Sequence, residues 1–296
     1  MKLLFEKYSA HGNDFIIIDN RYHRIEGDNR RLFQHLCQRR TSVGADGVIL
    51  LDSDNVVEHP QMPKGMPCGT SLGAPPKPAV HRIADYHLEF YNSDGNPTTM
   101  CGNGSRAAVD FAKRLDIMTK ECRFTVNERE YRGQIAQDGT IGVEIHLCGE
   151  EAAERSIIYD STEYKGYVCN SGVPHTVIFD TGLFQDSPRK MAAHLRNVSD
   201  FAPEGANVSF ARIDSSDHIS IITYERGVED YTLSCGTAAA AVGFISYVNN
   251  RYSLPIKVRS AGGTLDVTSS DKRSSVWIMG KVFHIYSGVI EEIIFT

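Results

Sequence analysis

Short apolar runs rich in β-branched and aromatic residues recur along the 296-residue chain, and such runs are typical of β-strands. Glycine, asparagine and aspartate, which favour turns, lie between them. The pattern predicts strands over residues 15–19, 48–51, 87–91, 177–179, 219–224 and 276–279.

Two stretches of small residues depart from the strand pattern, and each follows a Cys-Gly pair. One continues from Cys101 through residues 107–113, and the other runs from Cys235 through an alanine run to Ile245. We predict a helix for each, since small side chains let a helix approach a curved sheet closely. The spacing of apolar residues predicts two more helices near residues 29–40 and 188–197.

The order of motifs in the first half of the chain returns in the second half. The runs 12–15, 44–47 and 92–101 are matched by 172–175, 205–207 and 225–235. This repeat predicts a duplicated domain of mixed α and β class, with a boundary near residues 138–142. A site between two such halves can bring matching groups to both faces of one ligand.

Each cysteine of the two Cys-Gly pairs is predicted to lie at a helix N-terminus. The helix dipole and unpaired N–H groups there favour a thiolate and attract an anion, so we expect the pKa of the thiol to fall. One thiolate and one thiol facing a single carbon would form the base and the acid needed to invert a stereocentre. The candidate backbone donors are Gly102, Asn103, Gly104, Gly236 and Thr237.

The charge balance argues against nucleic acid as a partner. Lys and Arg number 31 against 37 Asp and Glu, which gives a formal charge of −6, and no basic block stands out. No apolar run approaches the length of a membrane span, and the first residues do not form a secretory signal. These features predict a soluble, cytoplasmic protein.

No cofactor or metal is expected. The chain has neither Gly-x-Gly-x-x-Gly after a strand nor a Walker motif, and the seven cysteines lack zinc-ligand spacing. The cysteines outside the two pairs are interpreted as small buried hydrophobes, except for Cys68, which is expected to be exposed. Cys68 lies in a segment, residues 53–83, whose six prolines predict a surface insertion, a lid or an oligomer contact.

Four ordered motifs resemble those of the diaminopimelate epimerase family, and the resemblance covers nearly the whole chain except residues 53–83. They are His11-Gly12-Asn13-Asp14-Phe15, Gly44-Ala45-Asp46-Gly47, Asn92-Ser93-Asp94-Gly95 before Met100-Cys101-Gly102-Asn103-Gly104-Ser105-Arg106, and Tyr224-Glu225-Arg226-Gly227 before Ser234-Cys235-Gly236-Thr237. Proline racemases share the fold and the cysteine pair but usually carry histidine in place of Asn103.

The resemblance implies an α+β fold of two pseudo-symmetric lobes, each a β-barrel-like sheet wrapped around a central helix. Residues 1–139 with 284–296 would form the lobe that carries Cys101, and residues 140–283 the lobe that carries Cys235. The implied activity is PLP-independent interconversion of LL- and meso-2,6-diaminopimelate, in the synthesis of lysine and peptidoglycan precursors. The expected partners are an amino-acid substrate and a second copy of the chain, with no nucleic acid or membrane.

By the same resemblance, Cys101 and Cys235 are the acid–base pair. Arg226 would bind the carboxylate at the distal centre, since a guanidinium fork suits a carboxylate, and Glu225 would accept from an ammonium. His175 is expected to support the site near Cys101. Further substrate contacts are expected from Asn13, Asn92, Gly102, Asn103, Asn207, Gly236 and Thr237.

Three departures from the family pattern concern specificity. Val173 stands where asparagine is common, the turn at residues 228–231 is one residue longer, and Ala238 replaces glycine. Loss of a polar side chain at Val173 supports an alternative, a racemase or epimerase of another amino acid such as glutamate. A metabolite-binding protein would not need two thiols, and a thiol-redox protein would need a resolving Cys-x-x-Cys that the chain lacks.

Overall fold

The computed structural model describes residues 3–21, 25, 29–53, 84–197, 205–249, 252–270 and 274–291. Residues 54–83 of the proline-rich segment, with Cys68, and residues 292–296 lie outside the described residues. The helices are α1 (Arg30–Cys37), α2 (Gly102–Arg114), α3 (Thr181–Asp186), α4 (Arg189–Leu195) and α5 (Gly236–Val248).

The strands of the first half, together with the strand that follows them, are β1 (Leu3–Ala10), β2 (Asn13–Asp19), β3 (Gly47–Asp52), β4 (Tyr86–Asn92), β5 (Pro97–Thr98), β6 (Glu121–Val126), β7 (Arg129–Ile135), β8 (Ile141–His146) and β9 (Cys148–Tyr159). The remaining strands are β10 (Thr162–Asn170), β11 (Pro174–Phe179), β12 (Asn207–Ile213), β13 (His218–Glu225), β14 (Asp230–Thr232), β15 (Ile256–Ser260), β16 (Gly263–Ser269), β17 (Ser275–Gly280) and β18 (Phe283–Ile290).

Helices α2 and α5 are surrounded by the rest of the protein. Residues 102–109 of α2 and residues 238–246 of α5 are all buried. The sequence permits this because most of these residues are glycine or alanine, whose small side chains let the sheet approach the helix backbone from several sides. Both predicted helices are therefore confirmed, and each forms the centre of the core.

The strands form one hydrogen-bonded ladder in the order β18-β1-β2-β3-β4-β6-β7-β8-β17-β16-β15-β13-β12-β11-β10-β9, with β5 beside β4 and β14 beside β13. The order is the same from either end to the central β8–β17 pair. The parallel pairs also correspond, since β2–β3 and β4–β6 match β11–β12 and β13–β15. This symmetry confirms the predicted α+β fold of two related halves.

The chain crosses between the halves twice. β9 follows β8 in sequence but pairs with β10, and β18 follows β17 but returns to pair with β1. The ladder continues through β8, which pairs with both β7 and β17. The lobe limits at residues 139 and 284 stay a prediction.

All six predicted strands lie within β2, β3, β4, β11, β13 and β17. The two amphipathic helices exist as α1 and α4 but are shorter than predicted, and sequence reasoning missed α3. The Asp180 side chain begins α3 by accepting the backbone N–H of Leu183 at 2.9 Å. Cys37, Cys122 and Cys169 are buried, as predicted. Among the described residues, no helix has the length and apolar character needed to cross a membrane.

Two valines on α5 provide a matched test of the buried-helix arrangement. Val242 is fully buried, whereas Val248 is 38% exposed. We expect Val242→Ala to lower the free energy of unfolding by about 2 kcal/mol, because buried methyl groups are lost and a cavity is left. Val248→Ala should change it by less than about 0.5 kcal/mol. Equal effects in urea denaturation would contradict the burial of α5.

Candidate active site

Cys101 and Cys235 are the N-cap residues of the two central helices. Both have extended backbone conformation, and the first helical hydrogen bonds run to their carbonyl oxygens from Ser105 (2.8 Å) and Ala239 (3.1 Å). The N–H groups of the three residues after each cysteine consequently have no partner within the helix. Each thiol thus lies beside a set of backbone donors suited to an anion.

The N-termini of α2 and α5 meet in backbone contact. A Cβ atom placed on Gly102 would lie 3.7 Å from the Cα of Gly236, and one placed on Gly236 would lie 3.5 Å from the Cα of Gly102. Ile278 of β17 covers the contact, since its Cδ1 would lie 2.7 Å from a Cβ on Gly102. The two glycines therefore allow two positive helix ends to lie against one another.

Asparagine side chains beside Cys101 are held in fixed orientations. The Asn103 amide donates to Asn13 Oδ1 at 2.8 Å, and the Asn13 amide donates to Asp46 Oδ2 at 3.1 Å. Arg106 donates to Asn103 Oδ1 at 2.6 Å. These bonds identify the oxygen of each asparagine amide as an acceptor and use one N–H of each. The second N–H of each amide can therefore bind a ligand.

The second half has its own polar chain. Cys235 Sγ lies 3.3 Å from Thr237 Oγ1, which lies 3.1 Å from His175 Nε2. The backbone N–H of Arg226 donates to Asn207 Oδ1 at 2.8 Å, so the amide nitrogen of Asn207 faces His175 Nε2 at 3.4 Å. His175 Nε2 is therefore the acceptor, and the Thr237 hydroxyl, donating to it, can accept from the Cys235 thiol.

His175 is a neutral residue on the Cys235 side of the site. It was expected near Cys101, but its hydrogen bonds are to Thr237 and Asn207. Burial and the positive charge of Arg226 lower the pKa of His175 to about 3, so the imidazole remains uncharged near neutrality.

Glu225 is the acidic group next to both thiols. Burial raises its pKa, while hydrogen bonds from Thr232 and from the Cys235 thiol favour the carboxylate. In turn, the negative charge of Glu225 raises the pKa of Cys235 and of Cys101. A ligand cation paired with Glu225 would therefore make both thiols more acidic.

The expected fall in the thiol pKa is wrong. Burial raises the pKa of Cys101, although the N–H groups of Gly104 and Asn103 partly oppose the rise, and it raises the pKa of Cys235 well above its usual value. The reason is that removing a thiolate from water costs more free energy than its interaction with the helix N-terminus provides.

Asn92 and Val173 are the remaining positions for which the sequence predicts an effect on substrate binding. Asn92 ends β4 with an exposed side chain, and its backbone bonds to Asn96 and Gly95 at 2.9 Å. Val173 lines a cavity of about 30 Å³ together with Thr237, so the departure from the family pattern lies at the site.

Sequence reasoning missed two residues of the site, Arg106 and His11. Arg106 is fully buried and donates to His11 Nδ1 at 3.2 Å. The sequence carried a signal for Arg106, because it is a charged residue within a run of small residues predicted to form a buried helix. A charged side chain is rarely buried without polar partners, so its presence in such a helix indicates a polar site nearby.

The two related α+β halves, each with an N-capping cysteine, define a fold class that solved structures share. A solved structure described as a probable proline racemase from Agrobacterium radiobacter shares this fold, with a TM-score of 0.63 at 14% identity, over 97% of this chain and 92% of that one. The family model for diaminopimelate epimerase matches residues 5–146 and 167–285. The chain belongs to the diaminopimelate epimerase family.

Relatives in this family align over nearly the full chain. The diaminopimelate epimerase of Flavobacterium psychrophilum is 32% identical over 288 residues, covering 96% of this chain and 98% of the relative. That of Aquifex aeolicus is 32% identical over 298 residues, covering 97% and 98%. The resemblance seen in the motifs is confirmed across both halves.

Removing the charge of Glu225 should make Cys235 a better nucleophile. We expect Glu225→Gln to lower the pH midpoint of Cys235 alkylation by iodoacetamide, because burial remains but the anion that also raises the pKa is lost. Mass spectrometry of the Cys235 peptide gives the midpoint. Glu229→Gln, an isosteric change in the adjacent turn, is the control. A midpoint that rises or stays fixed in Glu225→Gln would contradict this electrostatic account.

Proposed function

We propose that the protein interconverts LL- and meso-2,6-diaminopimelate by two-base proton transfer between Cys101 and Cys235. The observation that carries this proposal is the contact of two helix N-termini at Gly102 and Gly236, each preceded by a thiol. This arrangement provides two proton-transfer groups and one anion site from two halves of the chain.

The α-carboxylate of the substrate is expected to bind at the joined helix ends. The N–H groups of Gly102, Gly236 and Thr237 lack helical partners there, and Asn103 adds a side-chain donor. When the α-proton leaves, negative charge moves onto this carboxylate, so the same donors stabilise the transition state.

Proton transfer then needs no group beyond the two sulfurs. A thiolate on one face takes the α-proton, so the C–H bond breaks and an S–H bond forms. The thiol on the other face gives its proton to the carbon, which closes the new C–H bond with inverted configuration and leaves a thiolate. Each turnover thus exchanges the roles of Cys101 and Cys235.

The second head group of the substrate suits the polar residues at the ends of β12 and β13. Arg226 supplies a cation for the distal carboxylate, and its backbone N–H fixes the Asn207 amide. Pairing of a substrate ammonium with Glu225 would neutralise the charge that raises both thiol pKa values. Substrate binding would then activate the thiols.

Val173 supports a second candidate, a racemase of a related amino acid. A valine side chain cannot hydrogen-bond a distal polar group, and this residue lies in the cavity wall beside Thr237. Glutamate, which has a carboxylate but no second ammonium group, is the substrate of this alternative.

Solvent deuterium incorporation at the α-carbon, followed by NMR, tests the proposal. We expect exchange with LL-diaminopimelate in the wild type and a loss of about 10²–10⁴-fold in Cys101→Ala and in Cys235→Ala, because either change removes one proton-transfer group. Cys122→Ala, which alters a buried cysteine of β6, should retain exchange.

Three results separate the candidates. Exchange with glutamate but not with diaminopimelate would favour the racemase. Undiminished exchange in either catalytic variant would overturn the two-thiol mechanism. Absence of exchange with both amino acids, using fully reduced protein, would contradict both candidate functions.

A further inference from the structure

A small cavity of about 30 Å³, here called the Val173 cavity, lies between the two halves and next to both thiols. Met100, the residue before Cys101, lines it, and so does Thr237, whose hydroxyl lies 3.3 Å from Cys235 Sγ. A volume of this size has room for about two water-sized groups. The two oxygens of a carboxylate would therefore fit.

The first-half wall of the cavity is formed by Arg129 with Tyr131 and His146. Arg129 begins β7 directly after a two-residue hairpin turn, in which Asn127 and Glu128 both have positive φ, 47° and 65°. Arg129 and Tyr131 lie on the same face of β7, and the guanidinium carbon is 5.7 Å from the centroid of the tyrosine ring. The tight turn and the ring therefore hold the guanidinium at the cavity wall.

The second-half wall of the cavity is the turn between β10 and β11. Ser171 Oγ donates to the backbone carbonyl oxygen of Thr237 at 2.9 Å, which joins this turn to the first residues of α5. Gly172 has a positive φ of 99°, and Val173 follows it in the wall. The valine side chain can neither donate nor accept a hydrogen bond, so this position offers a polar group of the ligand no partner.

The charge of the Val173 cavity favours an anion. Among the described residues that line it, Arg129 carries a permanent positive charge and none is acidic. The larger cavity of about 470 Å³ on the same hairpin differs, because Asp85 and Glu121 line it beside two arginines. A carboxylate in the Val173 cavity would be paired with a guanidinium, whereas an ammonium group would face a like charge.

We propose that Arg129 is a specificity-determining residue that binds the carboxylate at the distal end of the substrate. The inference rests on the proposed function, and it applies to both candidate substrates, since diaminopimelate and glutamate each carry a distal carboxylate. Arg226 is the cation proposed for this carboxylate from the second half, and Arg129 adds a guanidinium from the first. The planar fork supplies the hydrogen bonds that Val173 cannot make.

Lysine is the matched probe for this contact, because it is diaminopimelate without the distal carboxylate. Isothermal titration calorimetry in the Cys101→Ser protein would measure binding of LL-diaminopimelate, glutamate and lysine without conversion of the ligand. We expect Arg129→Met to weaken binding of the ligands with a distal carboxylate by about 10- to 100-fold, because charge-assisted hydrogen bonds are lost. Lysine binding should change by less than about twofold.

Three further variants serve as controls. Arg123→Met should leave all three affinities unchanged, since Arg123 lies on the other strand of the same hairpin, is 57% exposed and lines the larger cavity. Arg129→Lys should retain part of the affinity, because it keeps the charge but loses the fork. Adding Val173→Asn to Arg129→Met should restore binding of the distal carboxylate by about three- to tenfold, because an amide N–H then faces the cavity.

Unchanged binding of diaminopimelate and glutamate in Arg129→Met would overturn the proposal, and so would an equal loss for lysine, which would place the effect on the α-carboxylate or on the fold. Should Arg129→Met fail to fold by circular dichroism, Arg129→Lys decides, since it must weaken only the ligands with a distal carboxylate. If the parent protein binds neither of these ligands, the proposed function fails and the inference fails with it. Binding that depends on Arg129 in the expected way, without deuterium exchange in the wild type, would count against the proposed function alone.

Discussion

The contact between the N-termini of α2 and α5 is the constraint on which the rest of the site depends. Two helix ends of the same polarity repel each other, and burial removes the water that would screen them. They lie together because Gly102 and Gly236 have no Cβ and because the ladder surrounds both helices. The two helix ends together produce a concentrated positive potential, which stabilises a bound anion.

The ladder creates this contact through its symmetry. Each half wraps its helix with the same order of strands, and the halves join at β8 and β17. Ile278 on β17 lies against both glycines, so the strand at the join also packs over the helix ends. Duplication alone would yield two equivalent sulfurs. The charge of Glu225 removes that equivalence without altering the backbone.

Much of this structure could be predicted from the sequence because the informative patterns were local. Strand runs, the Cys-Gly pairs and the repeated motif order depend on neighbouring residues, and they placed both central helices correctly. The thiol pKa could not be predicted in the same way, since the helix end is visible in the sequence but the burial of Cys101 and Cys235 arises from the packed fold. The partners of His175 and of Arg106 likewise come from parts of the chain that are distant in sequence.

The return of β18 to β1 has a consequence for how the chain can be made. Leu3 pairs with Ile290, so β1 acquires its outer neighbour from a strand that is synthesised after every other described strand. Until then β1 presents an open edge, to which another nascent chain can add. The first half therefore completes its sheet only after β18 has been made, and a fragment that stops at β8 lacks the strand that covers that edge.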